Sequence, residues 1–278
     1  MTVNSYVTNL AGSAIIRDTE KQSIQRSITT IQSRLNSYFG GDLAQHLLFG
    51  SYTRGTILPR SMDQHSDIDY MVVFNDSNYQ PQTYLDKLNR FVNAYYSSSE
   101  ISQENPTIVL SLNHIKFELV PAISTWFSGL KIPAKASAFN SWIETDPNDF
   151  NQTLVNANQA NNNMIKPMVR LVKYWNAKNN YVFESYELEK MLTEKSYWHI
   201  GGLLGSGGQL KDYFLDAMES LDVGWNAAQY KKDAVNRAHQ LVKEVEYYQQ
   251  RNMEAQAEQK IKRLLPPITA SLGLLGNY

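Results

Sequence analysis

Apolar residues follow two different spacings in the first half of the chain. From Ser13 to Tyr38, isoleucine and leucine recur every three or four residues, which predicts a long amphipathic helix. Two short apolar runs, His46 to Phe49 and Ile68 to Phe74, predict buried strands. The same reasoning predicts one more helix and then a pair of strands, at Tyr84 to Tyr96, Thr107 to Leu110 and Ile115 to Val120.

The second half of the chain has mostly helical spacing. An apolar stripe from Met164 to Trp175 predicts a helix, and helical periodicity returns from Ala234 to Leu265 before Pro266-Pro267 stops it. The glycine-rich segment Ile200 to Gly208 lies between them and predicts a flexible stretch. Strands followed by helices indicate an α+β fold. The change of pattern predicts a first domain at residues 1–150 and a helical domain at 151–278.

Composition narrows the classes of function. Hydrophobic residues make up 42% and charged residues 19% of the 278 residues, as in folded domains. The 26 basic and 27 acidic residues give no sequence-wide case for nucleic-acid binding. The absence of cysteine excludes disulfides, thiolate zinc sites and a thiol nucleophile. With neither a signal peptide nor a membrane-length apolar run in the sequence, we expect a cytoplasmic protein without membrane contact.

Two acidic residues stand at the start of an apolar run in the stretch FGSYTRGTILPRSMDQHSDIDYMVVF. Residues two apart on a strand point to the same side, so Asp67 and Asp69 should project together. Two adjacent carboxylates repel each other unless a cation lies between them, and oxygen-only ligands suit Mg²⁺ or Mn²⁺. A solvated loop with two surface acids remains the alternative interpretation.

A Gly-Ser pair and a third acid complete the candidate site. Gly50 allows backbone N–H groups to approach an anion, and the Ser51 hydroxyl can bond to phosphate. Glu118 interrupts an apolar strand in IKFELVPA and could join the other two acids. A phosphate-binding turn beside metal-binding carboxylates is typical of nucleotidyl transfer. Gly-Ser could also be an ordinary turn, and Glu118 a solvated strand residue.

These motifs, together with MVRLVKYWN and ESYELEKML further along, resemble the DNA polymerase β-like nucleotidyltransferases. Within that superfamily the chain is similar to the oligoadenylate synthetase and cyclic GMP-AMP synthase branch, and most of all to the bacterial CD-NTases. The resemblance implies a palm sheet with a long N-terminal helix and a C-terminal helical lobe. It places the active site in the cleft between them.

The resemblance also implies a role for each acid and for the turn. Asp67 and Asp69 would bind both metal ions, and Glu118 would hold the ion that activates the acceptor hydroxyl. Gly50 and Ser51 would cradle the donor triphosphate. The third acid of the family is usually Asp, and Glu118 is longer by one methylene, which could slow the chemistry or change the metal preference.

Three residues of the second half complete the set that the resemblance implies. Lys173 would neutralise phosphate charge, the Ser185 hydroxyl would bond to the triphosphate, and Tyr186 would stack on a base. Each has an ordinary alternative, since Lys173 could lie on a solvated face, Ser185 could cap a helix and Tyr186 could be a core residue.

The expected activity is synthesis of a cyclic di- or trinucleotide from ATP, GTP or other nucleoside triphosphates, with release of pyrophosphate, in anti-phage signalling. A regulatory protein partner or an activator is compatible with this expectation. Two alternatives stay open at this point. One is transfer of nucleotides to RNA ends or to a protein hydroxyl, and the other is a weakly catalytic nucleotide-binding regulatory module.

Overall fold

A computed structural model describes residues 1–104, 106–125, 129–134, 141–197, 200 and 208–268. Contacts divide the chain into two compact units. The helical unit contains Met1–Ile15, Leu58–Gln64 and Gln152–Tyr278, and the sheet unit contains Ile16–Ile57 and His65–Asn151. Most of the predicted flexible segment Ile200 to Gly208 lies outside the described residues.

The bounds of the elements agree with most of the predicted pattern. Within the described residues the helices are α1 Val3–Ser13, α2 Asp18–Phe39, α3 Gly50–Arg54, α4 Pro81–Tyr95, α5 Asp149–Ala160, α6 Ile165–Lys178, α7 Ser185–Glu194, α8 Leu210–Glu219, α9 Gln229–Gln249 and α10 Glu254–Leu264. The strands are β1 Leu43–Phe49, β2 Asp67–Phe74, β3 Glu100–Glu104, β4 Thr107–Ser111, β5 Lys116–Ser124, β6 Leu130–Pro133 and β7 Trp142–Thr145.

The described strands form one mixed sheet in the sheet unit. Its main path runs β1-β2-β5-β4-β3, and β6 continues from β5 to β7. Strands β2 and β5 are parallel, whereas the other pairs are antiparallel. The predicted pairing of Thr107 to Leu110 with Ile115 to Val120 is confirmed as the antiparallel pair β4 and β5. The α+β fold is therefore as the sequence predicted.

Side-chain alternation along β2 places its two faces in different surroundings. Ile68, Tyr70 and Val72 are completely buried in the main hydrophobic cluster. That cluster also contains the apolar faces of α2 and α4, which explains the long amphipathic helix predicted from the sequence. Met71 and Val73 belong to a smaller cluster on the opposite face. The acids Asp67 and Asp69 share the face of Met71 and Val73, because all four occupy odd positions of one strand.

The helical unit is built around α6, of which most side chains are buried. Helix α1, which the sequence analysis did not predict, packs against α6, α8 and α10. The periodic run from Ala234 to Leu265 is two helices, α9 and α10, because the chain turns through Gln250 to Met253, where Asn252 has a positive φ.

The predicted domains at 1–150 and 151–278 stay a prediction, although contacts group α1 and Leu58–Gln64 with the C-terminal helices. No helix among the described residues combines the length and the apolar character that crossing a membrane requires.

Candidate active site

The three acids lie on two neighbouring parallel strands. Asp69 is directly paired with Glu118 in the register of β2 and β5, and Asp67 is two residues before Asp69 on the same face. On its other side Asp69 is paired with Phe49, the last residue of β1. The sheet register therefore places the three carboxylates and the end of β1 together.

The pKa of Glu118 is raised by its surroundings in the site. Burial raises the pKa of the Glu118 carboxyl to about 8, and the nearby charges of Asp67 and Asp69 add to this effect. A hydrogen bond to Asp67 and the charge of Glu104 act in the same direction. Glu118 is partly buried in the structure rather than fully exposed. A raised pKa from burial and like charge is characteristic of functional acids.

Gly50 is a glycine for a reason that the sequence did not reveal. Its φ is +73°, and a Cβ added there would lie 1.7 Å from Oδ2 of Asp69. Any side chain would thus strain the backbone and displace the Asp69 carboxylate. Gly50 starts the short helix α3, and the carbonyl oxygen of the next residue, Ser51, accepts hydrogen bonds from the N–H groups of Thr56 and Ile57. The Gly-Ser turn is therefore built against the acid strand.

The chemistry of the donor set fits a hard divalent cation. Three carboxylates with no nitrogen or sulfur donor among them are the ligands that Mg²⁺ and Mn²⁺ prefer. Their mutual repulsion, evident in the raised pKa of Glu118, is what a bound cation would relieve. Among the described residues, however, no group of three or more His, Cys, Asp or Glu side chains is positioned to hold a metal ion. Metal binding by these acids is therefore a proposal.

In the helical unit, Lys173 is buried rather than solvated. Its side chain is 8% exposed, and its Nζ lies 3.8 Å from Oε2 of Glu189, which is completely buried. Arg170, one turn earlier on α6, is also buried, and burial lowers the pKa of its guanidinium. Helix α6 therefore carries two buried cationic side chains, and the alternative of a solvated face for Lys173 is wrong.

Ser185 and Tyr186 lie at the start of α7. Ser185 is the first residue of the helix and is exposed, while Glu184 occupies the capping position without a side-chain cap bond. The alternative role of Ser185 as the helix cap is therefore not realised. Tyr186 is 42% exposed, which agrees with a stacking residue better than with a core residue. The first turn of a helix also presents N–H groups that favour anions.

The predicted site residues are divided between the two units. Gly50, Ser51, Asp67, Asp69 and Glu118 belong to the sheet unit, where the register brings the acids and the turn together. The other three predicted residues, Lys173, Ser185 and Tyr186, belong to the helical unit. Their joint use in one active site stays a prediction.

Glu189 was missed by the sequence analysis. The signal was present, because Glu189 stands next to Leu188 on the apolar side of ESYELEKML, where an acid is unexpected.

Comparison with known proteins finds a matching family and two relatives. Residues 1–158 match the family described as the second messenger oligonucleotide or dinucleotide synthetase domain, SMODS. A "Cyclic AMP-AMP-AMP synthase" of an Acinetobacter species is 27% identical over 137 residues, which is 48% of this chain and 39% of that protein. A Bacillus cereus protein named "Probable cyclic nucleotide synthase" is 24% identical over 265 residues, covering 77% of this chain and 76% of that protein.

The fold agrees with solved structures of the same group. The Vibrio cholerae cyclic AMP-GMP synthase DncV, in complex with a linear intermediate, superposes with a TM-score of 0.71 at 12% identity. The superposition covers 97% of this chain and 98% of that one, which establishes a shared polymerase β-like fold. Because the family match covers more than half of the sequence and includes the turn and all three acids, the chain belongs to the SMODS family of bacterial CD-NTases.

Proposed function

We propose that this protein is a metal-dependent synthase that joins nucleoside triphosphates into a cyclic di- or trinucleotide second messenger. The observation that carries the proposal is the cluster of Asp67, Asp69 and Glu118, with Gly50 packed against Asp69. Membership of the SMODS family supports the same reaction. We further propose that the product serves in bacterial anti-phage signalling, and that a regulatory partner or an activator controls its synthesis.

The reaction would be an in-line transfer at phosphorus. A 2′ or 3′ hydroxyl of the acceptor nucleotide loses its proton, and its oxygen forms a bond to the α-phosphorus of the donor triphosphate. The bond from that phosphorus to the bridging oxygen breaks, and pyrophosphate leaves with the electron pair. A further transfer of the same kind, within the linear product, would close the ring and release a second or third pyrophosphate.

Each residue of the sheet unit has a defined part in this scheme. Asp67, Asp69 and Glu118 would hold Mg²⁺ or Mn²⁺. The bound ion would lower the pKa of the acceptor hydroxyl and neutralise charge on the phosphate. Gly50 leaves room for the Asp69 carboxylate, and Ser51 would donate its hydroxyl to the donor phosphates.

In the helical unit, Lys173 would offset phosphate charge, and the Ser185 hydroxyl would bond to the triphosphate. Tyr186 would stack on a base, a contact that its partial exposure permits. The three residues come from two helices that pack together, α6 and α7.

Incubation with radiolabelled triphosphates distinguishes this proposal from its competitors. With the label at the α-phosphate, every phosphate of a cyclic product lies in a phosphodiester bond, so phosphatase leaves the product unchanged. A linear product loses its 5′-terminal phosphates and keeps only its internal label, so chromatography after phosphatase separates it from the cyclic product, while unused triphosphates lose all their label. Label attached to RNA or to protein would favour transfer to those acceptors. Binding of triphosphate without release of pyrophosphate, with both metals present, would favour a regulatory module.

A further inference from the structure

We infer that Asn176, near the end of α6, is a positioning residue for Ser185 and Tyr186 at the start of α7. This inference deepens the proposed function and rests on it, because it takes these two residues as contacts of the donor nucleotide. It assigns their placement to a side chain outside the predicted set of site residues. Three features of the helical unit carry it: the side-chain bonds of Asn176, its backbone bonds, and the way in which α7 begins.

The side-chain amide of Asn176 pairs with the backbone of Phe183. Asn176 is 2% exposed. Its Nδ2 donates to the carbonyl oxygen of Phe183 at 2.9 Å, and its Oδ1 accepts from the N–H of Phe183 at 3.0 Å. An aspartate here would lack the donor, and a leucine of similar size would lack both donor and acceptor. The pairing therefore explains why a buried position of α6 carries an amide.

The backbone of Asn176 holds an earlier part of the same connection, residues 179–184. Its carbonyl oxygen accepts from the N–H groups of Asn179 at 3.1 Å and Tyr181 at 2.9 Å. Asn180 and Tyr181 both have a positive φ, which is uncommon for residues other than glycine. Asn176 therefore bonds to three residues of the connection and fixes its path from α6 to α7.

The first turn of α7 has no buried side chain of its own. Ser185, Tyr186 and Glu187 are all exposed, and the first buried residue of the helix is Leu188. The capping position is occupied by Glu184, whose side chain makes no cap bond. Neither packing of its own side chains nor a side-chain cap therefore fixes this turn.

Phe183 supplies the anchor for the turn. It stands two residues before Ser185 and three before Tyr186, and its ring lies 6.5 Å from the buried ring of Trp175. Because the chain between Phe183 and Tyr186 is so short, a shift of Phe183 must move both exposed side chains. Asn176 thus acts on the proposed nucleotide contacts through the residue that it pairs with.

The test separates positioning from simple stabilisation in variants of the full-length chain. Asn176→Leu removes both side-chain bonds at nearly constant size, and Asn176→Ser is a milder second variant. Asn179→Leu is the matched control, because the Nδ2 of Asn179 donates back to the carbonyl of Trp175 in α6, at 2.8 Å, rather than to a residue before α7. The probes are the α,β-methylene triphosphates of adenosine, guanosine, cytidine and uridine, which bind without releasing pyrophosphate. Affinities are measured by calorimetry with Mg²⁺, at a temperature where circular dichroism shows each variant to be folded.

We expect folded Asn176→Leu to bind the preferred analogue about tenfold more weakly than the wild type, because a displaced Tyr186 loses part of its stacking. Asn176→Ser should show a smaller loss, and Asn179→Leu should remain within twofold of the wild type even where its thermal midpoint falls. In a Tyr186→Ala background, Asn176→Leu should cost less than it does in the wild type, because it acts through that residue.

Wild-type affinity in folded Asn176→Leu, or a loss that is undiminished in the Tyr186→Ala background, would overturn the inference. An equal loss in Asn179→Leu would do the same. If Asn176→Leu does not fold, the same comparisons are made with Asn176→Ser, and failure of both to fold would make Asn176 a residue of stability alone. Wild-type protein that binds none of the four analogues would instead contradict the proposed function, so the two failures are distinguishable.

Discussion

Gly50→Ala is the substitution that most sharply tests the link between the Gly-Ser turn and the acid strand. The alanine Cβ would lie 1.7 Å from Oδ2 of Asp69, where nonbonded atoms require at least 3.0 Å. The Asp69 carboxylate must therefore move by more than about 1.3 Å, or the turn must shift by a similar amount. Displacement of a reacting group by roughly 1 Å can reduce turnover by about 10²-fold.

The chain offers a matched control for backbone strain. Gly55, at the end of the same short helix, has a φ of +72°, almost equal to the +73° of Gly50, but no atom lies within 4 Å of its added Cβ. Alanine in this left-handed region costs about 1–2 kcal/mol at either position. Gly50→Ala and Gly55→Ala should therefore lose similar stability from strain, while Gly50→Ala alone disturbs the acid cluster.

The assay measures pyrophosphate release at saturating triphosphate, together with the thermal midpoint of each variant. Gly50→Ala should turn over about 10²-fold more slowly than Gly55→Ala at a temperature where both are folded. Equal turnover in the two folded variants would show that the contact with Asp69 has no bearing on catalysis.

Two further predictions concern the acid cluster and the helical unit. The raised pKa of Glu118 means that the folded protein retains a proton that the unfolded chain loses between about pH 4.5 and 8, so stability falls as pH rises through this window. With a chelator present to remove metal ions, Glu118→Gln should therefore raise the thermal midpoint by on the order of 5 °C at pH 8 but not at pH 4. An equal gain at both pH values would contradict this explanation. Tyr186→Ala should weaken nucleotide binding, measured by calorimetry, by ~1–3 kcal/mol. Tyr186→Phe should retain the affinity because the stacking ring remains, and equal losses in the two variants would exclude stacking.

The sheet could be predicted wherever local pattern and tertiary burial agree. Strand β2 has an uninterrupted buried run from Tyr70 to Phe74, and its burial on both faces in the structure explains that composition. Strand β3 has the polar sequence EISQE and is exposed at most positions, so it had no local signal. Its pairing with β4 is set by the neighbouring strand rather than by its own residues.

Helix α1 was not predicted, although its sequence has helical spacing. Val3, Tyr6, Val7 and Leu10 are buried at helical spacing, so the signal was available in the sequence and was not used.

The candidate residues of the site were predicted from the sequence, but their physical relations could not be. Spacing alone placed Asp67 and Asp69 on one face, and order along the chain suggested Glu118. The direct pairing of Asp69 with Glu118 depends on the register of parallel strands that are far apart in sequence. The contact of Gly50 with Asp69 and the ion pair of Lys173 with Glu189 likewise arise only from tertiary packing.

The proposed function requires that this protein make a cyclic oligonucleotide at the acid cluster. To test it, purified protein is incubated with radiolabelled triphosphates, singly and mixed, with Mg²⁺ or Mn²⁺, and the products are treated with phosphatase, with or without nuclease, and separated by chromatography. We expect a phosphatase-resistant, nuclease-sensitive product that is absent with a folded Asp67→Asn, Asp69→Asn double variant. An undiminished product from that folded double variant, or label recovered only in linear nucleotides, RNA or protein, would contradict the account.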